Sequence, residues 1–167
     1  MNTDYTWEKE YFKNTYYLYN QGSHVGNLIQ STFNRVAKAD LKRKQIHFKT
    51  TGILRFKTRV TDKDGNIVGT ISYNFFNSTA KIRSKEKTVD LKNYNFWNSK
   101  WELTDYNGTT IKFNGSSGKG VIETTKHDEH LILSGLYIAN VFWHSRIAMA
   151  LVVMASIWVK FILAIQV

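Results

Sequence analysis

From Val25 to about Phe113, apolar and polar side chains alternate one by one in short runs. Ala37, Ala39 and Leu41 are interleaved with Lys38, Asp40 and Lys42, and Ile46 and Phe48 with Gln45, His47 and Lys49. Ile67, Gly69, Ile71, Tyr73 and Phe75 share one parity against Thr70, Ser72 and Asn74, and Ala80 with Ile82, Trp101 with Leu103 and Ile111 with Phe113 continue it. A period of two sends successive side chains to opposite faces of a strand, so each run predicts a half-buried strand. Turn signals separate the runs at Gln21-Gly22-Ser23, Asp64-Gly65, Asn107-Gly108, Asn114-Gly115 and Gly118-Lys119-Gly120. The spacing predicts on the order of a dozen short strands in a sandwich or barrel. Ahead of them, Asn14–Tyr19 reads as a Tyr-rich strand, and Thr3–Phe12 as a short helix or an irregular cover.

The end of the chain breaks the alternation. Leu131–Trp143 is apolar at both parities, which predicts a strand buried on both faces. Ser145 is then the N-cap of a helix from Ile147 onward, in which Lys160 is the only charged side chain. That helix is apolar all round, so something must enclose it, either lipid or the rest of the protein. Enclosure by a barrel accounts for Lys160, which lies roughly 20 Å along the helix from Ile147, about where strands of that length end. The expected plug residues are Ile147, Met149, Leu151, Val152, Met154, Ile157 and Trp158, with Phe161–Val167 projecting as an apolar tail open to a protein partner. The alternative is a single-pass membrane anchor.

One internal repeat is visible. Val60-Thr-Asp62-Lys-Asp-Gly65 and Leu103-Thr-Asp105-Tyr-Asn-Gly108 share the pattern apolar-Thr-Asp-x-Asp/Asn-Gly, expected of hairpins in which Asp bonds its own turn and Gly takes positive φ. The ordered set Val60-x-Asp62-x-x-Gly65-x-x-Val68-Gly69-x-Ile71, then Trp101-x-Leu103-x-Asp105-x-x-Gly108, then a wholly apolar C-terminal helix, resembles the tubby C-terminal-like superfamily and its LURP-one-related and phospholipid-scramblase branches. The resemblance implies a closed antiparallel barrel of about twelve strands enclosing the C-terminal helix. On that reading residues 1–13 are a cover segment, 14–144 the barrel strands and 145–167 the central helix of a single domain. It also implies binding to phosphoinositides or other anionic lipid through basic barrel residues.

Composition narrows the chemistry. The chain has no Cys, which excludes disulfides, thiolate metal sites and a Cys nucleophile. Its first ten residues carry neither a basic nor an apolar block, so no signal peptide is expected and a cytoplasmic setting is. The net charge of +10 favours anionic partners. The cationic side chains cluster: Arg35, Lys38, Lys42, Arg43 and Lys44 in one group, Lys81, Arg83, Lys85 and Lys87 in another. These are the candidate lipid- or anion-binding residues. Nucleic acid is disfavoured because aromatics are not interleaved with the Lys clusters as base stacking requires. Gly115-Ser-Ser-Gly118-Lys119-Gly120 lacks the spacing and helix of a phosphate loop, and Asp62-x-Asp64-x-Asn66 has Ile67 where a calcium loop needs Gly. His127-Asp-Glu-His130 pairs two imidazoles with two carboxylates but offers no rigid ligand set, so neither metal nor cofactor is expected. With no nucleophile elbow either, the chain reads as a non-enzymatic binding domain, peripheral at an anionic membrane surface. The alternatives are a tail-anchored protein with a cytoplasmic β-domain, a scramblase-like lipid transporter or a nucleic-acid binder.

Overall fold

A computed structural model describes residues 2–10, 12–31, 35–52, 57–94, 99–116 and 118–165. Twelve strands run in chain order: β1 (Asn2–Glu10), β2 (Thr15–Asn20), β3 (Ser23–Gln30), β4 (Val36–Leu41), β5 (Lys44–Thr51), β6 (Lys57–Asp62), β7 (Ile67–Asn74), β8 (Thr79–Arg83), β9 (Thr88–Asn93), β10 (Lys100–Asp105), β11 (Thr110–Gly115) and β12 (Lys119–Thr124). Each pairs antiparallel with the next, and β1 pairs β12 to close the barrel. One helix, α1 (Glu129–Ile165), follows. The alternation sorts most side chains as the sequence predicts: Ala37, Ala39, Leu41, Ile46, Phe48, Ile71, Ile82, Trp101, Leu103, Ile111 and Phe113 are all buried inside, while Ile67, at the rim where β7 begins, is half exposed and Tyr73 and Phe75 are only partly buried.

The N-terminal segment is not a cover. Tyr5 and Trp7 point inward while Thr6 and Glu8 point out, a period of two that makes β1 a strand. It completes the ring, pairing Trp7 with Gly120 on one side and Leu18 on the other. Gly115 and Gly120 face each other across β11 and β12, flanking the hairpin connection that the sequence signals there. A Cβ on Gly120 would stand 2.7 Å from the Trp7 indole nitrogen, so the missing side chain makes room for the ring.

The repeated hairpins are as expected, with one refinement. The Asp62 carboxylate accepts from the backbone N–H of Asp64 and Asn66, both at 2.9 Å, and the Asp105 carboxylate from those of Asn107 (2.9 Å) and Thr109 (2.8 Å). In each loop only the Gly, Gly65 at φ 85° or Gly108 at φ 76°, lies in the left-handed region. Type I′ turns need two such residues, and Gln21-Gly22 between β2 and β3 supplies them, at φ 49° and 80°.

The helix corrects the sequence reading most. Leu131–Trp143 is not a strand but the first part of α1, and it is this part that fills the barrel. Leu131, Ile132, Leu133, Leu136, Tyr137, Ile138, Ala139 and Phe142 are buried, Tyr137 stacked on Phe48 at 4.2 Å between centroids. A short run that is apolar at both parities fits a buried strand and a buried helix equally well. Asp128 decides between them as N-cap, its carboxylate accepting from the Leu131 N–H at 3.1 Å. Ser145 caps nothing; its hydroxyl donates to the Phe142 carbonyl three residues back, at 2.9 Å. From Leu131 to Phe142 the helix rises about 17 Å, the length of a tilted barrel wall. So the expected plug residues Ile147, Met149, Leu151, Val152, Met154, Ile157 and Trp158 lie outside the barrel, each 42–70% exposed, and Lys160 does not mark the barrel's end. Of the apolar tail Phe161–Val167, the last two residues lie outside those described.

Candidate functional site

Strand direction gives the barrel two unlike ends. Odd-to-even connections and the exit of α1 share one end; even-to-odd connections and the helix N-terminus share the other, the entry end. The two basic clusters, distant in sequence, meet largely at the entry end. Lys42 and Arg43 form the β4–β5 turn, with Lys44 opening β5, while Arg83 closes β8 and Lys85 and Lys87 lie in the β8–β9 connection. Lys44, Lys85 and Lys87 line one cavity of about 610 Å³, floored by Ile46, Val68, Ile82, Val89 and Leu131, with Asp62, Asp128 and His130 at its polar wall.

Hydrogen bonds and ion pairs fix this cavity to the helix start. Lys87 Nζ sits 2.6 Å from Asp128 Oδ2, and Lys42 Nζ is 4.0 Å from Glu129 Oε1 and 5.5 Å from the Tyr5 ring centre. Burial pushes the Asp128 carboxyl up, but the hydrogen bonds from Lys87 and the Leu131 N–H outweigh it and hold it below the usual range. His130 is held below the usual imidazole range, chiefly by burial and further by Lys44 and Lys87, against the opposing pull of Asp128. Its Nε2 is buried and makes no hydrogen bond. His127, its partner in the His-Asp-Glu-His stretch, meets the edge of Tyr5 at 6.1 Å, and among the described residues no group of three or more His, Asp or Glu side chains could hold a metal ion.

The remaining basic candidates lie elsewhere. Lys38 is exposed on the outer wall, and Lys81, also on the wall, pairs with Asp90 at 3.3 Å. Arg35 is at the exit end, donating to the Gly52 carbonyl at 3.0 Å.

The exit end holds the feature that sequence reading missed. Asn140, wholly buried on α1, accepts from Lys9 Nζ at 2.8 Å and from the Tyr16 hydroxyl at 3.1 Å, and donates to Gln30 Oε1. This knot ties the helix to β1, β2 and β3. One turn and a half further on, Arg146 donates to Ser78 Oγ at 2.8 Å. Beyond it, every described apolar side chain from Ile147 to Ile162 is exposed on a helix long and apolar enough to cross a membrane. A polar residue in an apolar run is the sequence signal for the knot, but only the helical register brings Asn140 opposite Lys9, Tyr16 and Gln30.

No family model, curated protein or solved structure matches the chain.

Proposed function

We propose that the protein is a non-enzymatic binding domain anchored in a membrane by the second half of α1, with its basic cavity turned away from that membrane. The observation that carries this reading is the division of one continuous helix: buried to Phe142, then apolar and exposed from Ile147. Exposed contiguous apolar surface of that extent does not persist in water. From Ile147 to Ile165 the helix rises about 27 Å, against a hydrocarbon core of about 30 Å. Lys160 falls toward the far side, within reach of the interface by snorkelling. A barrel with a helix at its centre is also the arrangement the tubby-like resemblance implies, and that kinship is part of the proposal.

The anionic partner keeps its place in the reading, but its direction changes. Lys44, Lys85 and Lys87 converge at the end opposite the anchor, so the group they suit is a phosphate-bearing ligand reaching the distal cavity, free or as a headgroup on another surface. The full chain tests the anchor directly. It should float with neutral liposomes and stay bound in high salt and alkaline carbonate, and Val153→Glu with Ile157→Glu should release it. Binding restricted to anionic liposomes and reversed by salt would instead mean peripheral attachment through the basic residues, and the anchor reading would fall.

A further inference from the structure

The exit end of the barrel carries a second feature that the anchor alone does not require. Its connections present large apolar rings to solvent: Phe12 between β1 and β2 and Phe76 between β7 and β8 are fully exposed, and Tyr94 after β9 is more than half exposed. At the entry end the connections are Gln21-Gly22, Lys42-Arg43, Lys63–Asn66, Ser84–Lys87, Tyr106–Thr109 and 125–128, and Tyr106 is the one apolar ring among them. Among the described residues, three exposed large rings thus stand in the exit-end connections against one in the entry-end connections.

The helix supplies the geometry. Between Phe142, the last buried residue, and Ile147, the first of the exposed apolar stretch, α1 runs unbroken for five residues, about 7.5 Å. The polar layer on each side of a hydrocarbon core is itself about 5–7 Å deep. With Asn140 and Arg146 fixing the helix to the barrel, no linker lets the domain stand off. Aromatic rings favour that layer, where one edge meets hydrocarbon and the other water. Arg35 and Arg146, both at this end, suit the phosphates there.

We infer that the exit end of the barrel is itself a membrane-docking surface, with Phe12, Phe76 and Tyr94 seated in the interfacial layer of the bilayer that holds α1. The inference rests on the anchor reading, and one experiment separates the two. Because the chain has no Cys, single Phe12→Cys, Phe76→Cys, Tyr106→Cys and Trp158→Cys variants of the full chain can each carry one environment-sensitive dye in phosphatidylcholine vesicles. Spin-labelled lipids then report depth. The expected result is deep quenching at position 158, shallow quenching at 12 and 76, and none at 106. Quenching at 158 with positions 12 and 76 as unquenched as 106 leaves the anchor intact and overturns the docking surface. Quenching at 12 and 76 without 158 overturns the anchor reading and, with it, the inference that these rings sit in the bilayer that holds α1. Equal quenching at 12, 76 and 106 overturns the orientation and the inference with it.

Discussion

Cutting the chain at two points in α1 should have opposite consequences. A chain ending at residue 128 loses Leu131, Ile132, Leu133, Leu136, Tyr137, Ile138 and Phe142 from the barrel interior. At about 1.5–3 kcal/mol for each fully buried large apolar side chain, the loss is roughly 10–20 kcal/mol. The whole stability of a domain is about 5–15 kcal/mol, so this fragment should not fold. A chain ending at Ala148 keeps all of those contacts, the Asn140 knot and the Arg146–Ser78 bond, and gives up only exposed surface. It should be soluble without detergent and show a single cooperative urea transition by circular dichroism. Gly135→Ala in this shorter chain probes the packing more finely. The new Cβ would stand 2.4 Å from Phe113 Cζ, and that ring is stacked on Trp101 at 5.1 Å, so it has little freedom to yield. Overpacking of this kind costs about 1–3 kcal/mol. A cooperatively folded 1–128 fragment, or an aggregated chain ending at Ala148, would refute the assignment of residues 131–142 as the core.

Two further predictions concern the loops and the exit-end knot. Gly65→Val and Gly108→Val place a branched side chain at φ 85° and 76° with nothing within 4 Å of the new Cβ. The cost is purely conformational, about 1–2 kcal/mol each, and thermal melts should fall by several degrees; unchanged melts would count against both turns. Burial lowers the Lys9 ammonium to about pH 8 from 10.5. The unfolded chain therefore holds more protons than the native one between those values, and stability should rise with pH across that window, the cost of the buried charge being complete below it. The change in stability of the Ala148-terminated chain on Lys9→Met should thus be more favourable at pH 7 than at pH 9.5; an equal change at both would show that Lys9 contributes nothing to the slope.

Much of the barrel was legible because a period of two is a local property. Ala37 through Phe113 could be assigned to inside or outside without knowing what they pack against. The turns were legible because Asp62 and Asp105 satisfy their own loops, without distant partners. Two misreadings share a physical cause. Tyr5 and Trp7 alternate cleanly, but one short strand at the chain's start reveals itself only through the β12 it closes on. Leu131–Trp143 and Ile147–Ile162 are equally apolar, and composition does not say which half meets protein. The useful clues were small: Asp128 as a cap, and no Gly, Asn or Asp in His144-Ser145-Arg146 where a strand would have had to end. The basic clusters were legible as residues but not as a site, because barrel closure, not sequence proximity, brings Lys44 to the same cavity as Lys85 and Lys87.

A rod that is oily on every face has little to stop it sliding along a matching bore. Moving α1 by one turn would still bury leucines and isoleucines inside, and a bilayer would accept the other half almost as readily. Asn140 makes that shift expensive. One turn is about 5.4 Å, enough to pull its amide from Lys9, Tyr16 and Gln30 at once and leave the buried Asn140 amide and Tyr16 hydroxyl without these partners. With the Tyr137–Thr50 and Arg146–Ser78 hydrogen bonds, Asn140 acts as an axial stop of the molecule: together they decide which leucines count as interior, and how far the barrel stands from whatever surrounds the rest of the helix.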